Sequence, residues 1–569
     1  GNTTEINGQL NIYNLIFSLI NNMGINIGAS GAINASQASL ILSTLNISNN
    51  DFFNGIYNFS NDNNSFGAVN NSGLVTVDQF AAFIGNTIKN DGNVLARLGA
   101  IAFGAGEKVS LALGSDGLIS IIVEQGVIDN LTGAEDQIAN TGTLSAQGGS
   151  IAMNAGAASG LFANIINNQG VIEAGSLVHE GGKIVLRASG GRIFLQGDSV
   201  IDASGIETGA DGGEIFIQGK SVSNSGVIKA NAEDYAKAGS IEIIANDFIT
   251  LNESSVIKAK GKDIESFGGD IFLYSYADAE AKSGQVIDFS GGSVSGDAGQ
   301  GEFSAANNVS FAGFVSGHAE AGYMLGEFII DPVSASVSGI YAANTTVWAD
   351  TNITIDGAVT INNGITLNLF ADHNSATGKD WHDGTGTITR SGDYTIAAAG
   401  GAASATLNLK AGSGIGASGT EIKTDVFYLT AEINPAAASG NIYLSQGANA
   451  LTLGDAVTPS GIINITSLGN ITQDGLVLSG AGNITLSPAG NFTQQYGTIK
   501  THTSGNISIS GANVVLGNIE SAGTIDVTAT GNITMAQSGY YKSILIQDLD
   551  IVDDSTNNGS ASNLTNFPV

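Results

Sequence analysis

Residues 254–275 read SSVIKAKGKDIESFGGDIFLYS, and residues 225–245 read SGVIKANAEDYAKAGSIEIIA, the same unit one step earlier. Each begins with a short run in which apolar and polar residues alternate, opens into a glycine-containing polar loop, and closes in a second alternating run. Period-two alternation marks a strand with one buried face. The unit recurs upstream as TGTLSAQGGSIAMNA (141–155), QGVIEAGSLVHEGGKIVLRA (169–188) and DSVIDASGIETGADGGEIFIQG (198–219). The glycine before the closing run stands at 149, 182, 213, 239 and 269, so the steps are 33, 31, 26 and 30 residues.

A shorter register occupies the C-terminal part. GNIYL begins at 440, GIINIT at 461, GNITL at 482, GNISI at 505 and GTIDV at 523, with steps of 21, 21, 23 and 18. A sister series, GNIT at 469, GNFT at 490 and GNITM at 531, runs behind it. Two strands per 21-residue turn is the simplest reading. A period that drifts this far does not close into a propeller, but it suits an open stack. The expected fold is therefore all-β, a right-handed parallel β-helix. Each coil lies about 4.8 Å above the last, inward Ile, Val, Leu and Ala form columns, and some 20 to 25 coils make a rod on the order of 100 Å long. The Asn residues of the GNIT series are expected to stack as amide ladders at a coil corner.

The composition agrees. Gly is 79 of 569 residues, about 14 % against a usual ~7 %. Lys and Arg number 19 against 51 Asp and Glu, for a net charge of -32, which excludes nucleic acid as a partner. Cys is absent, which removes disulfides, thiolate metal sites and cysteine nucleophiles together. No run approaches the ~20 apolar residues of a membrane-spanning helix. Three stretches interrupt the rhythm. Residues 50–66, with Asp51, Phe52, Phe53, Gly55, Tyr57 and Phe59, read as an extrahelical β-hairpin around an Asn-Gly turn. Residues 333–435 read as an irregular β-rich transition, and 546–569 as a polar tail or linker.

Chemistry is sparse. Asp372, His373, Asp380, His382 and Asp383, beside Trp381, carry the residue types of a divalent-metal or carbohydrate site, and equally those of a solvated acidic loop. Glycoside cleavage needs acidic groups converging on one face. The outward charges of the repeats, Lys183, Arg187, Arg192, Glu214, Glu242 and Asp270, are mixed and unaligned, which suits a solvated face that discourages lateral pairing. No helical period follows any Gly-Gly pair, as a phosphate loop requires. No catalytic residue and no cofactor are expected.

Residues 5–59 carry a resemblance. EINGQL, LINNMGINIGASGAIN and LILSTLNISNNDFFNGIYNF resemble, in order and spacing, segments of the secretion domain of filamentous-haemagglutinin-type exoproteins of bacterial two-partner secretion systems. VNNSGLVTV, VLARLGAIAFGAGEKVSLAL and the repeats to about 275 resemble its continuation, and GEFIIDP resembles a downstream segment, so the similarity spans roughly 1–335. The family's Asn-Pro-Asn-Gly turn stands here as Asn21, Asn22, Met23 and Gly24, before Ile25, without the proline. The resemblance implies a partial secretion domain over 1–125 followed by a β-helix over 126–332, and the 21-residue register makes 436–545 a second β-helix. It implies export through an outer-membrane transporter barrel to the surface or surroundings of a Gram-negative-type bacterium. There the rod would serve as a non-enzymatic adhesin or stalk whose receptor the sequence does not name. The alternative is a filament or matrix subunit joined end to end through open coil edges, and a third reading is a polysaccharide lyase or hydrolase.

Overall fold

A computed structural model describes residues 2–62, 67–97, 99–113, 119–130, 133–176, 182–374, 381–401, 404–535 and 549–553. The chain divides into two units, Gly1–Thr346 and Val347–Val569. In each, successive coils pair through parallel strands, which is the solenoid expected from the repeats.

In the first unit a coil has three strands. One coil, for example, contains Val200–Asp202, the first part of Glu214–Asn224 and that strand's continuation after a break at Gly219. The middle column shows why these sequences form strands. Ile172, Ile201, Ile228, Ile257 and Ile287 face each other in strict register, and all are fully buried. Each such side chain contributes about 1.5–3 kcal/mol of burial, which no isolated coil could collect. The residues flanking each Ile point outward and stay half exposed.

The spaced glycines have one cause. Backbone N–H groups of Ser240, Asp270 and Gln300 donate to the carbonyls of Gly213, Gly239 and Gly269 in the coil below. A Cβ at Gly239 would stand 1.8 Å from the Gly213 carbonyl oxygen, and one at Gly269 2.0 Å from that of Gly239. The corner has room for backbone alone.

The second unit follows the shorter register, with a correction. Each coil of about 21 residues holds three strands, not two; one coil is Ile463–Ser467, Ile471–Gln473 and Val477–Ser479. The third strand lacks a Gly-Asn start of the kind that precedes Ile471–Gln473. Residues 333–435, expected to be irregular, also carry paired strands: Ile353–Ile361 pairs with Thr387–Arg390 and Thr395–Ala398, and Thr366–Ala371 with Thr406–Ala411. Insertions between these strands hide the period. Of 546–569, only Leu549–Asp553 is described, a strand paired with Ile525–Ala529.

Among the described residues, one antiparallel sheet lies outside the coils. It consists of Asn46–Ile47, Tyr57–Ser60, Lys108–Leu113 and Ile119–Gln125. The extrahelical hairpin expected over 51–59 is displaced: its two antiparallel strands are Asn46–Ile47 and Tyr57–Ser60, and a helical turn, Asn49–Phe53, connects them. Ser48 caps the turn by accepting the Asp51 N–H, and Asn54-Gly55, with Gly55 at φ 69, ends the helical turn instead of forming a two-residue hairpin loop. A Ser three residues before Asp51, with its oxygen aimed at that amide, is a helix start signal that outweighs the Asn-Gly turn signal.

Candidate functional site

The N-terminal candidate is built on one asparagine. Asn21 Nδ2 donates to the Asn2 carbonyl (2.9 Å) and to Thr4 Oγ1 (2.8 Å), while its Oδ1 accepts the Met23 N–H (3.0 Å). The Gly24 N–H donates to the Asn21 carbonyl, closing the turn, and the Gly24 carbonyl accepts the Thr4 N–H. Gly24 sits at φ 125, in reach of glycine alone. Asn22 takes the second turn position, where a proline is merely favourable and not required. Met23 is exposed and Ile25 fully buried. The turn therefore fastens the strand Thr4–Ile6 to the coil above it, presents Met23 to solvent and drives Ile25 into the core.

The second candidate is the antiparallel sheet, which lies over the coil strands Ser39–Ser43, Phe80–Gly85 and Ala100–Ala105. Val109, Leu111, Ile121 and Phe59 pack on Ile41, Ala82, Ile84 and Ala102, and all eight are buried. The coil strands below are buried on both faces, so FAAFIG and AIAFGA read as continuous apolar runs. A Cβ at Gly104 would meet Ile121 Cδ1 at 2.4 Å, so this glycine sets how closely the sheet can lie. Of the expected extrahelical residues, Tyr57 and Phe59 belong to the sheet. Asp51, Phe52 and Phe53 form the helical turn, with Phe53 83 % exposed. The missed signal was the loss of alternation in those coil strands, which says that something covers their outer face. A cleft of about 510 Å³ opens at the sheet's end, lined by Asp62, Glu107, Lys108, Gln125 and Asp129.

The acidic loop in the second unit brings Asp372, His382 and Asp383 together, with their ligand atoms within 4.8 Å of one another. Asp380 lies outside the described residues, and His373 stacks instead on Trp348 at 5.1 Å. Asp372 is fully buried, and hydrogen bonds already occupy its carboxylate. Oδ1 accepts the N–H groups of Asp383 (2.8 Å) and Gly384 (3.0 Å), and Oδ2 accepts Asn434 Nδ2 (2.7 Å). The Thr385 hydroxyl and amide hold the Asp383 carboxyl below its usual range. This donor set fits a clamp closing a loop; a divalent ion would have to displace those hydrogen bonds.

The repeat-face charges do not converge. Lys183 pairs with Glu214 at 2.8 Å, Asp270 with Lys237 at 3.7 Å, and Arg187 and Arg192 lie over the rings of Phe216 and Phe194.

No protein-family model and no curated protein matches the chain. Among solved structures it is similar to the HMW1 secretion domain from Haemophilus influenzae, at 23% sequence identity and a TM-score of 0.39, over 58% of this chain and 79% of that one.

Proposed function

We propose that the chain is an exported exoprotein of the two-partner kind, delivered through an outer-membrane transporter barrel, and that its solenoid acts outside the cell as a non-enzymatic adhesin or stalk. The observation that carries this reading is the fate of residues 5–59, the segment with the family resemblance. The Asn21 turn locks the strands Thr4–Ile6 and Ile25–Ile27 together, and the Ser48-capped turn leads into the sheet that covers the following coils. Cysteine-free coils that each template the next suit a chain folding as it emerges, because every added coil buries its Ile column and opposes back-sliding.

The test is co-expression with a cognate transporter barrel. Deleting 5–59 is expected to abolish appearance in the medium while leaving synthesis intact, and Asn21→Ala to reduce it. Undiminished export of the deletion would falsify the assignment.

A further inference from the structure

In the first unit, the first outward position of the middle strand is apolar in every coil from Val171 to Ile340, after Asn93 and Thr143 at the same position in the two coils before. Val171, Val200, Val227, Val256, Val286 and Phe314 follow one another in register, each half-buried. The column continues to Ile340, which is 41% exposed. Two residues further along each strand a second outward column reads Glu173, Asp202, Lys229, Lys258 and Asp288 in the same register. The core needs neither column, because the residue between them, such as Ile201 or Ile228, is the one that points inward.

An outward apolar stripe on a parallel sheet is ordinarily covered. Two features say by what. The stripe repeats at the coil spacing, about 4.8 Å, so a partner meets every residue only if it has the same repeat. Charge then selects the partner and its direction. Consider two copies facing each other across a two-fold axis that runs along the strands. Coils then oppose in reverse order, apolar column on apolar column and charged column on charged column. With the axis between the coils of Val200 and Val227, Asp202 opposes Lys229, Glu173 opposes Lys258, and Ser145 opposes Asp288. In the apolar column Val200 lies on Val227, Val171 on Val256 and Leu74 on Ile340, with Thr143 on Val286 and Asn93 on Phe314 between them, and no like charges meet within the two columns. Moving the axis one coil further on sets Lys229 against Lys258; placing it on the coil of Val200 sets Asp202 against itself. A parallel pair would put the two charged columns on opposite sides.

We propose that this face pairs with a second copy of the same chain, solenoid axes antiparallel, centred between Val200 and Val227. Lys229 and Asp202 already form an ion pair at 2.9 Å within one chain. At the centre of the dimer the two pairs would merge into a square of four alternating charges, partly shielded from salt by the valines.

Sedimentation velocity on the full chain of 57.5 kDa tests this. The native protein is expected to shift with concentration toward twice that mass. Val200→Lys should remove the dimer. Lys258→Glu, which sets Glu173 against a glutamate twice per dimer, should weaken it roughly tenfold or more, and Glu173→Lys/Lys258→Glu should restore it. Unchanged circular dichroism and thermal unfolding would confirm that the variants fold. A native chain that stays monomeric at every concentration overturns the proposal, as does association that survives both Val200→Lys and Lys258→Glu.

Discussion

Both units stack asparagines coil upon coil, and they do it in opposite ways. Between residues 71 and 168 the ladder is inside. Asn71 donates to Asn90 (2.8 Å), Asn90 to Asn140 (2.7 Å) and Asn140 to Asn168 (2.7 Å), with all four buried. Each also turns back on its own Asn-x-Gly corner, as Asn168 does to the Gly170 carbonyl at 3.1 Å. In the second unit the ladder is outside. Asn470 accepts the N–H of Asn491, Asn491 that of Asn513 and Asn513 that of Asn532, all at exposed positions. The difference lies in where the residue meets the strand. An Asn closing a strand at an inward position must find amide partners in the core or lose its hydration for nothing. An Asn opening a strand at the corner keeps water on one side and needs one backbone partner. The buried ladder thus locks register, while the exposed one trims a corner.

The largest effect should come from the inner ladder. Asn140→Leu leaves the Asn90 amide and the Asn168 carbonyl buried without their partner and should cost about 3 kcal/mol. The readout is faster hydrogen exchange in Thr87–Asn90 and Asn164–Asn168, and a loss no greater than that of an exposed ladder residue would break the contrast. The covering sheet comes next. Gly104→Val forces Ile121 and Val109 outward and should cost about 2 kcal/mol; protease sensitivity should rise in 108–125 while the coil strands beneath stay protected. On the outer ladder, Asn491→Ala should cost about 0.5–1 kcal/mol, seen as a small rise in exchange at Val514–Leu516.

The smallest effect is a pH dependence at an Asn-x-Gly corner. Burial pushes the Asp91 carboxyl up, but hydrogen bonds from Lys89 and Thr141 and the Lys89 charge outweigh it and hold the group below its usual value. A depressed carboxyl stabilises the fold above its unfolded pKa, and that stability is lost as pH falls through the lower folded value. Asp91 is largely exposed, so Asp91→Asn should cost under about 1 kcal/mol at neutral pH. The gap from the native protein should close below about pH 4. A gap that persists in acid would mean the carboxylate's charge is irrelevant to the corner.

Much of this was legible beforehand. The Gly-Gly spacing located the coils, the alternation gave the inward Ile column, and the GNIT register predicted the outer amide ladder. The inner ladder was missed although its sign, Asn-x-Gly at 71, 90, 140 and 168, is local; its spacings of 19, 50 and 28 residues conceal the repeat. The hairpin read at Asp51–Phe59 lies instead between 46–47 and 57–60, because a helix cap and a turn share the same residue types. At the acidic loop, residue types suggested ligands, but Asn434, 62 residues from Asp372, supplies the hydrogen bond that makes the latter a clamp.

Sequence alone determined which side chains face inward, where glycine is obligatory and that the repeats stack, because these follow from a strand's period of two and from the steric needs of one corner. The tertiary structure decided the number of strands per coil and the assembly of residues 46–47, 57–60, 108–113 and 119–125 into a sheet over the early coils. It also decided which outward columns align. Those depend on register between coils, and register is set by loop lengths and by what each new coil finds beneath it, not by the pattern within any one strand.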